Sequence, residues 1–111
     1  MQRDKVIAID FDGTIYNSTN KQLINGAKEA IKILHQKGYV LVLWTCRSGN
    51  RLKNAINILK QYDLYQYFYC INETPDFVKY KVSCKVCASV YIDDRNIGGF
   101  IGWNRVLEIL R

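Results

Sequence analysis

Two aspartates, Asp10 and Asp12, stand in the string Ile9-Asp10-Phe11-Asp12-Gly13-Thr14, directly after the apolar run Val6, Ile7, Ala8. Such a pair suits phosphoryl transfer: one carboxylate can attack phosphorus, the other can move a proton, and a metal ion can sit beside them. The apolar run reads as a buried strand, and the end of such a strand is where an open α/β sheet keeps its chemistry. Thr45 and Arg47 follow a second apolar run, Asp93 and Asp94 follow a third, Val90-Tyr91-Ile92, and Lys85 lies shortly before that third run. A phosphate ester brings negative charge to carboxylates that already repel one another, so the set calls for a divalent cation and a lysine. Mg²⁺ takes oxygen ligands and usually keeps several waters, which a few carboxylates and one main-chain carbonyl accommodate. The Thr45 hydroxyl and nearby backbone N–H groups can hold the remaining phosphate oxygens.

Positioning these groups requires strands that end together. The chain alternates strand-like and helix-like segments without repeats, low-complexity tracts or Pro/Gly/Ser linkers, which predicts a parallel sheet. Strands are expected at Lys5 to Asp10, Tyr39 to Trp44, Tyr67 to Ile71 and Ser89 to Ile92. Ala27, Ala30, Ile31 and Leu34 repeat at helical spacing after Asn25, with Gly38 as the stop. Asn50 is placed to cap a second helix carrying Leu52, Ala55, Ile56, Leu59 and Tyr62, and Arg105 to Leu110 closes the chain as a third. Right-handed crossovers then bring the C-terminal ends of all the strands to one edge. The expected architecture is one three-layer α/β/α, Rossmann-like domain spanning residues 1–111, with helices on both faces of a doubly wound sheet.

Composition sets the class. With 111 residues, 49% hydrophobic and 23% charged, the chain can bury one adequate core and has no room for a second domain. Met1 to Lys5 lacks the apolar stretch of a signal peptide and no segment is apolar enough to span a bilayer, so a cytoplasmic location without membrane attachment is expected. Four cysteines, Cys46, Cys70, Cys84 and Cys87, do not make a disulfide framework in a chain so rich in regular structure. The formal charge of +6 favours encounter with polyanions. Lys28 and Lys32 fall on a solvated helix face, whereas Arg47, Arg51, Lys79, Lys81 and Arg95 cluster around the expected strand ends.

Taken in order, these residues resemble the haloacid dehalogenase superfamily of phosphohydrolases. Asp10-Phe11-Asp12-Gly13-Thr14 resembles its first motif, Thr45 its second, Lys85 its third and Asp93-Asp94 its fourth. Leu43-Trp44-Thr45-Cys46-Arg47 and Ile92-Asp93-Asp94-Arg95-Asn96-Ile97-Gly98-Gly99 further resemble a small, capless group within it, a resemblance that brings no particular substrate. The resemblance implies a Mg²⁺-dependent phosphatase in which Asp10 forms an aspartyl-phosphate and Asp12 protonates the leaving oxygen and later activates water. It also implies metal ligation by Asp10, the Asp12 main-chain carbonyl and Asp93, with support from Asp94. Thr45 and Lys85 would bind the transferring group, with Lys79 and Lys81 as close competitors for the lysine's place, and Thr14 and Arg47 complete the set expected to meet substrate.

Other features have simpler uses. Cys84-x-x-Cys87 has no second paired motif and His35 falls within a helix, so neither builds a zinc site. Tyr62, Tyr65, Tyr67, Phe68 and Tyr69 could stack bases, but strands and helix ends bury such side chains routinely. Trp44 reads as core, and Trp103 is expected to pack the last helix or flank the cleft. Between Thr14 and the first helix only the polar stretch Tyr16 to Gln22 is available, too little for a folded cap. An open site of this kind admits a small phosphomonoester or the phosphorylated end of a macromolecule such as a nucleic acid, with a large substrate or a second copy of the chain excluding water. A non-catalytic Mg²⁺- and phosphate-binding regulatory module is the rival reading. A response-regulator receiver domain would instead carry its phosphorylated aspartate after a middle strand.

Overall fold

The computed structural model describes residues 5–79 and 85–110; Met1 to Asp4, Lys81 and Cys84, singled out above, lie outside them. Strand β1, Val6–Ile9, and strand β4, Val40–Leu43, are buried along their whole length, as their unbroken apolar sequences require. With β5, Phe68–Ile71, and β6, Val90–Ile92, they form a parallel sheet in the order β5-β4-β1-β6. The chain steps outward from β1 through β4 to β5, then returns across β1 to β6. That return leaves a topological switch point beside β1. Ile9 pairs in register with both Leu43 and Ile92, so the residues that follow, Asp10, Trp44 and Asp93, emerge at one level of the sheet edge.

Helices α1, Ala27–Gln36, and α2, Gly49–Gln61, lie in successive crossovers that step the same way, and right-handed connections put them on the same face. Helix α3, Trp103–Leu110, joins them. Ala30, Ile31 and Leu34 of α1, Leu59 of α2 and Trp103 of α3 pack there against Ile7, Ile9 and Leu41. Helix α1 starts after Gly26 and ends in a double bond, Gly38 N–H to the His35 carbonyl and Tyr39 N–H to the Leu34 carbonyl, with Gly38 at φ 92°. This is the left-handed glycine stop that the sequence predicts. The cap of α2 is Ser48 rather than Asn50, because Ser48 holds the extended backbone (φ −142°) and its carbonyl accepts the Leu52 N–H. Helix α3 begins at Trp103, ahead of the expected Arg105.

The fold class is the expected capless, Rossmann-like α/β, and the difference lies in what covers the second face. Val6, Ala8, Val40 and Val42 are covered by Phe77, Val78, Val86 and Ala88 of the β5–β6 crossover. Among the described residues that crossover holds no helix; Pro75 interrupts it, and no apolar stripe of helical spacing runs through residues 72–79. A small antiparallel hairpin, β2 (Tyr16–Asn17) with β3 (Gln22–Leu23), is also new. The Asn17 side-chain oxygen accepts the N–H groups of Thr19 and Asn20 and so builds its turn.

Candidate active site

Directly beyond β1 the chain makes a tight turn in which the Phe11 carbonyl accepts the N–H groups of Ile15 and Tyr16 at 2.9 and 3.0 Å. The turn sends Asp10 and Asp12 into an open cleft of about 890 Å³, lined also by Thr45 and Arg47 beyond β4 and by Asp93 and Asp94 beyond β6. Gly13 permits this convergence. It sits at φ +82°, and a Cβ there would run into the Asp94 carboxylate, so no other residue brings the two loops so close.

One carboxylate oxygen from each of Asp10, Asp93 and Asp94 lies within 4.8 Å of the others. Burial, the Asp93 charge, and the hydrogen bond and charge of Asp94 push Asp10 from its ordinary 3.8 up to about 7, against a smaller opposing effect of the Phe11 N–H. Three hard oxygen donors so close together, in a cleft open to water, fit a divalent cation such as Mg²⁺, whose charge would offset the repulsion felt by Asp10.

The carboxylate of Asp12 is not part of this cluster. It accepts the Arg47 Nε–H at Oδ2 and the Arg47 Nη2–H at Oδ1, both at 2.8 Å. Those bonds and the adjoining positive charges of Arg47 and Arg51 hold its carboxyl below the usual range despite partial burial. Thr45 is nearly buried, its backbone N–H donates to Asn72 Oδ1 at 2.8 Å and its Oγ1 accepts the Arg47 N–H at 3.1 Å. With its oxygen engaged as acceptor, the hydroxyl hydrogen is available to the cleft. Asn72, at φ 54° at the end of β5, is a supporting residue that sequence reasoning missed. Its position at a strand end on the active edge was the available signal.

Three residues expected to contact substrate lie differently. Thr14 is fully buried behind Asp10; its hydroxyl donates to Asp10 Oδ2 at 3.2 Å and its carbonyl accepts the Trp103 indole N–H at 2.8 Å. Arg47 is committed to Asp12. The Lys85 ammonium lies 4.7 Å from the centre of the Tyr91 ring and outside the cleft lining, because Tyr91 points to the second face of the sheet. Among the described residues the positive groups lining the cleft are Arg47, Arg51 and Arg95, and its far rim is the hairpin turn, Asn17, Ser18 and Thr19. Trp44, expected in the core, is half-buried and lines the cleft, while Trp103 is the core residue. Cys46 and Cys87 are exposed thiols and Cys70 is half-buried. Tyr62, Tyr67 and Phe68 pack against the core, and Tyr69 turns to Asp76 and Phe77.

A family model for haloacid dehalogenase-like hydrolases matches residues 7–95. Among solved structures, a conserved protein encoded by a locus of Bacteroides thetaiotaomicron superposes with a TM-score of 0.82 at 35% sequence identity, over 95% of this chain and 88% of that one. No curated protein matches the sequence.

Proposed function

The chain belongs to the haloacid dehalogenase-like hydrolases, and from that premise we propose that it is a Mg²⁺-dependent phosphatase acting on phosphomonoesters through an aspartyl-phosphate at Asp10. The observation that carries this reading is the meeting of Asp10, Asp93 and Asp94 at one sheet edge, with Asp12 and Thr45 in the same cleft. Asp10, Asp93, Asp94 and the Asp12 main-chain carbonyl are the groups that would hold the cation. Once bound it keeps Asp10 anionic and neutralises phosphate charge.

Asp12, held charged in the free protein, first takes the acidic proton of the phosphomonoester monoanion. The Asp10 carboxylate then attacks phosphorus as the ester oxygen departs, and that oxygen takes the proton from Asp12. In the second step Asp12 accepts a proton from the water that attacks the aspartyl-phosphate. Orthophosphate leaves with that proton, and both aspartates return to their starting, ionised state. The Thr45 hydroxyl donates to a phosphoryl oxygen, and Thr14 steadies Asp10 from behind. Arg51 and Arg95 line the cleft without a carboxylate partner among the described residues, which supports a substrate that is anionic beyond the transferred group. No folded cap narrows the approach, so the phosphorylated end of an oligonucleotide is included in the proposal beside small phosphomonoesters.

Release of orthophosphate from a panel of sugar phosphates, nucleotides and 5′- and 3′-phosphorylated oligonucleotides, with Mg²⁺ or EDTA, tests both parts. Release by the parent that needs Mg²⁺ and disappears in Asp10→Asn is expected. Folded, Mg²⁺-binding protein that is inert on every substrate would favour the non-catalytic module. Turnover confined to small esters would remove the polymer.

A further inference from the structure

Arg47 is held on every side. Its side chain is only 8% exposed, its guanidinium carbon lies 4.9 Å from the centre of the Phe11 ring, and its Nη1 donates to the Arg51 carbonyl at 3.3 Å. Nε and Nη2 are spent on the two oxygens of Asp12. Every nitrogen of the fork therefore has a protein partner, and the group is packed where a phosphate ligand would have to be open. A planar bidentate fork fixes the plane of a carboxylate as well as its place.

We propose that Arg47 is a positioning residue for Asp12 and not a phosphate ligand: it holds the Asp12 carboxyl in one orientation through both half-reactions. The inference rests on the assignment of Asp12 as acid and base. When Asp12 carries the proton destined for the leaving oxygen, one of its oxygens is a hydroxyl and releases its bond to the fork. The other oxygen stays on Arg47, so the side chain does not swing away. After the ester oxygen has taken that proton both bonds are restored, and the carboxylate faces the cleft ready to accept a proton from water. A lysine keeps the charge but meets the carboxylate at a single point and cannot hold its plane.

The test compares Arg47→Lys and Arg47→Gln with the parent on an alkyl phosphate, whose leaving oxygen needs a proton, and on para-nitrophenyl phosphate, whose leaving group departs as an anion. Mg²⁺ affinity by calorimetry and thermal melting accompany the kinetics, and Arg47→Lys covers the case in which Arg47→Gln does not fold. With Arg47→Lys, kcat for the alkyl ester is expected to fall about 100-fold, the scale set by misplacing a reacting group by about an ångström. The initial burst of nitrophenolate is expected to survive, and inhibition by orthophosphate to change less than about twofold. Parental kcat in Arg47→Lys on the alkyl ester would overturn the proposal, as would orthophosphate inhibition weakened about tenfold or more, the mark of a lost phosphate contact. Asp12→Asn separates the two levels. If that variant turns over the alkyl ester like the parent, the assignment of Asp12 has failed; if it is inactive while Arg47→Lys is parental, only the positioning role has.

Discussion

At Asp10 the surroundings oppose the charge that a nucleophile needs. Burial, then Asp93 and Asp94, raise it from 3.8 to about 7. The unfolded chain releases this proton near the lower value and the folded protein only near the higher one. Between them the unfolded state holds fewer protons, so this group's contribution to stability falls as pH rises and stays low above about 7. Asp10→Asn removes the penalty. In EDTA the variant is expected to melt above the parent at about pH 8, with the gap closing toward about pH 4. A divalent cation offsets the same penalty in the parent, so the rise in Tm on adding Mg²⁺ is expected to grow between about pH 6 and about pH 8. Melting curves across that range check both statements, and parent and variant melting together at every pH in EDTA would contradict them. Asp12 has the opposite setting, held charged by Arg47, so neighbouring carboxylates of one motif are tuned apart by what each touches.

Among the elements, α3 ties down the loop that carries both aspartates from the core side. Trp103, 2% exposed at the first turn of α3, donates its indole N–H to the Thr14 carbonyl, and Thr14 is itself fully buried and bonded to Asp10. Trp103→Phe leaves that carbonyl buried without its donor, a loss of roughly 1–3 kcal/mol, and several degrees in Tm for a protein of this size. Denaturant and thermal unfolding measure it; a variant as stable as the parent would show that the bond contributes nothing. Strands β1 and β4 were legible in the sequence because full burial writes itself as an unbroken apolar run. The hairpin was not, since β2 and β3 have two residues each and their pairing depends on a turn built by Asn17. The covering of the second face was misread for a related reason. Phe77, Val78, Val86 and Ala88 reach the sheet from irregular chain, which leaves no period to read.

Over the whole molecule, the chain carries a formal charge of +6 while three carboxylates meet in its cleft. On the proposed function the net charge would favour the approach of an anionic substrate over about a Debye length and the carboxylates would take the cation. The parallel arrangement that brings Asp10, Thr45 and Asp93 to one edge follows from alternation and crossover connections, which is why those residues could be grouped from their order in the chain. The pairing of Arg47 with Asp12, the burial of Thr14 and the placement of Lys85 over Tyr91 depend on side-chain packing between distant segments, and order alone does not encode them. The chemistry assigned to this edge passes through one covalent species, and it can be captured. Asp12→Asn lacks the base for the second step, so mixing it with Mg²⁺ and para-nitrophenyl phosphate, quenching in acid and mapping peptides by mass spectrometry reads that species directly. Phosphate carried on Asp10, absent when EDTA is present or when Asp10 is replaced by Asn, is the expected result; a phosphate on another residue, or nitrophenolate release by the parent with no phosphorylated Asp10 in either protein, would contradict it.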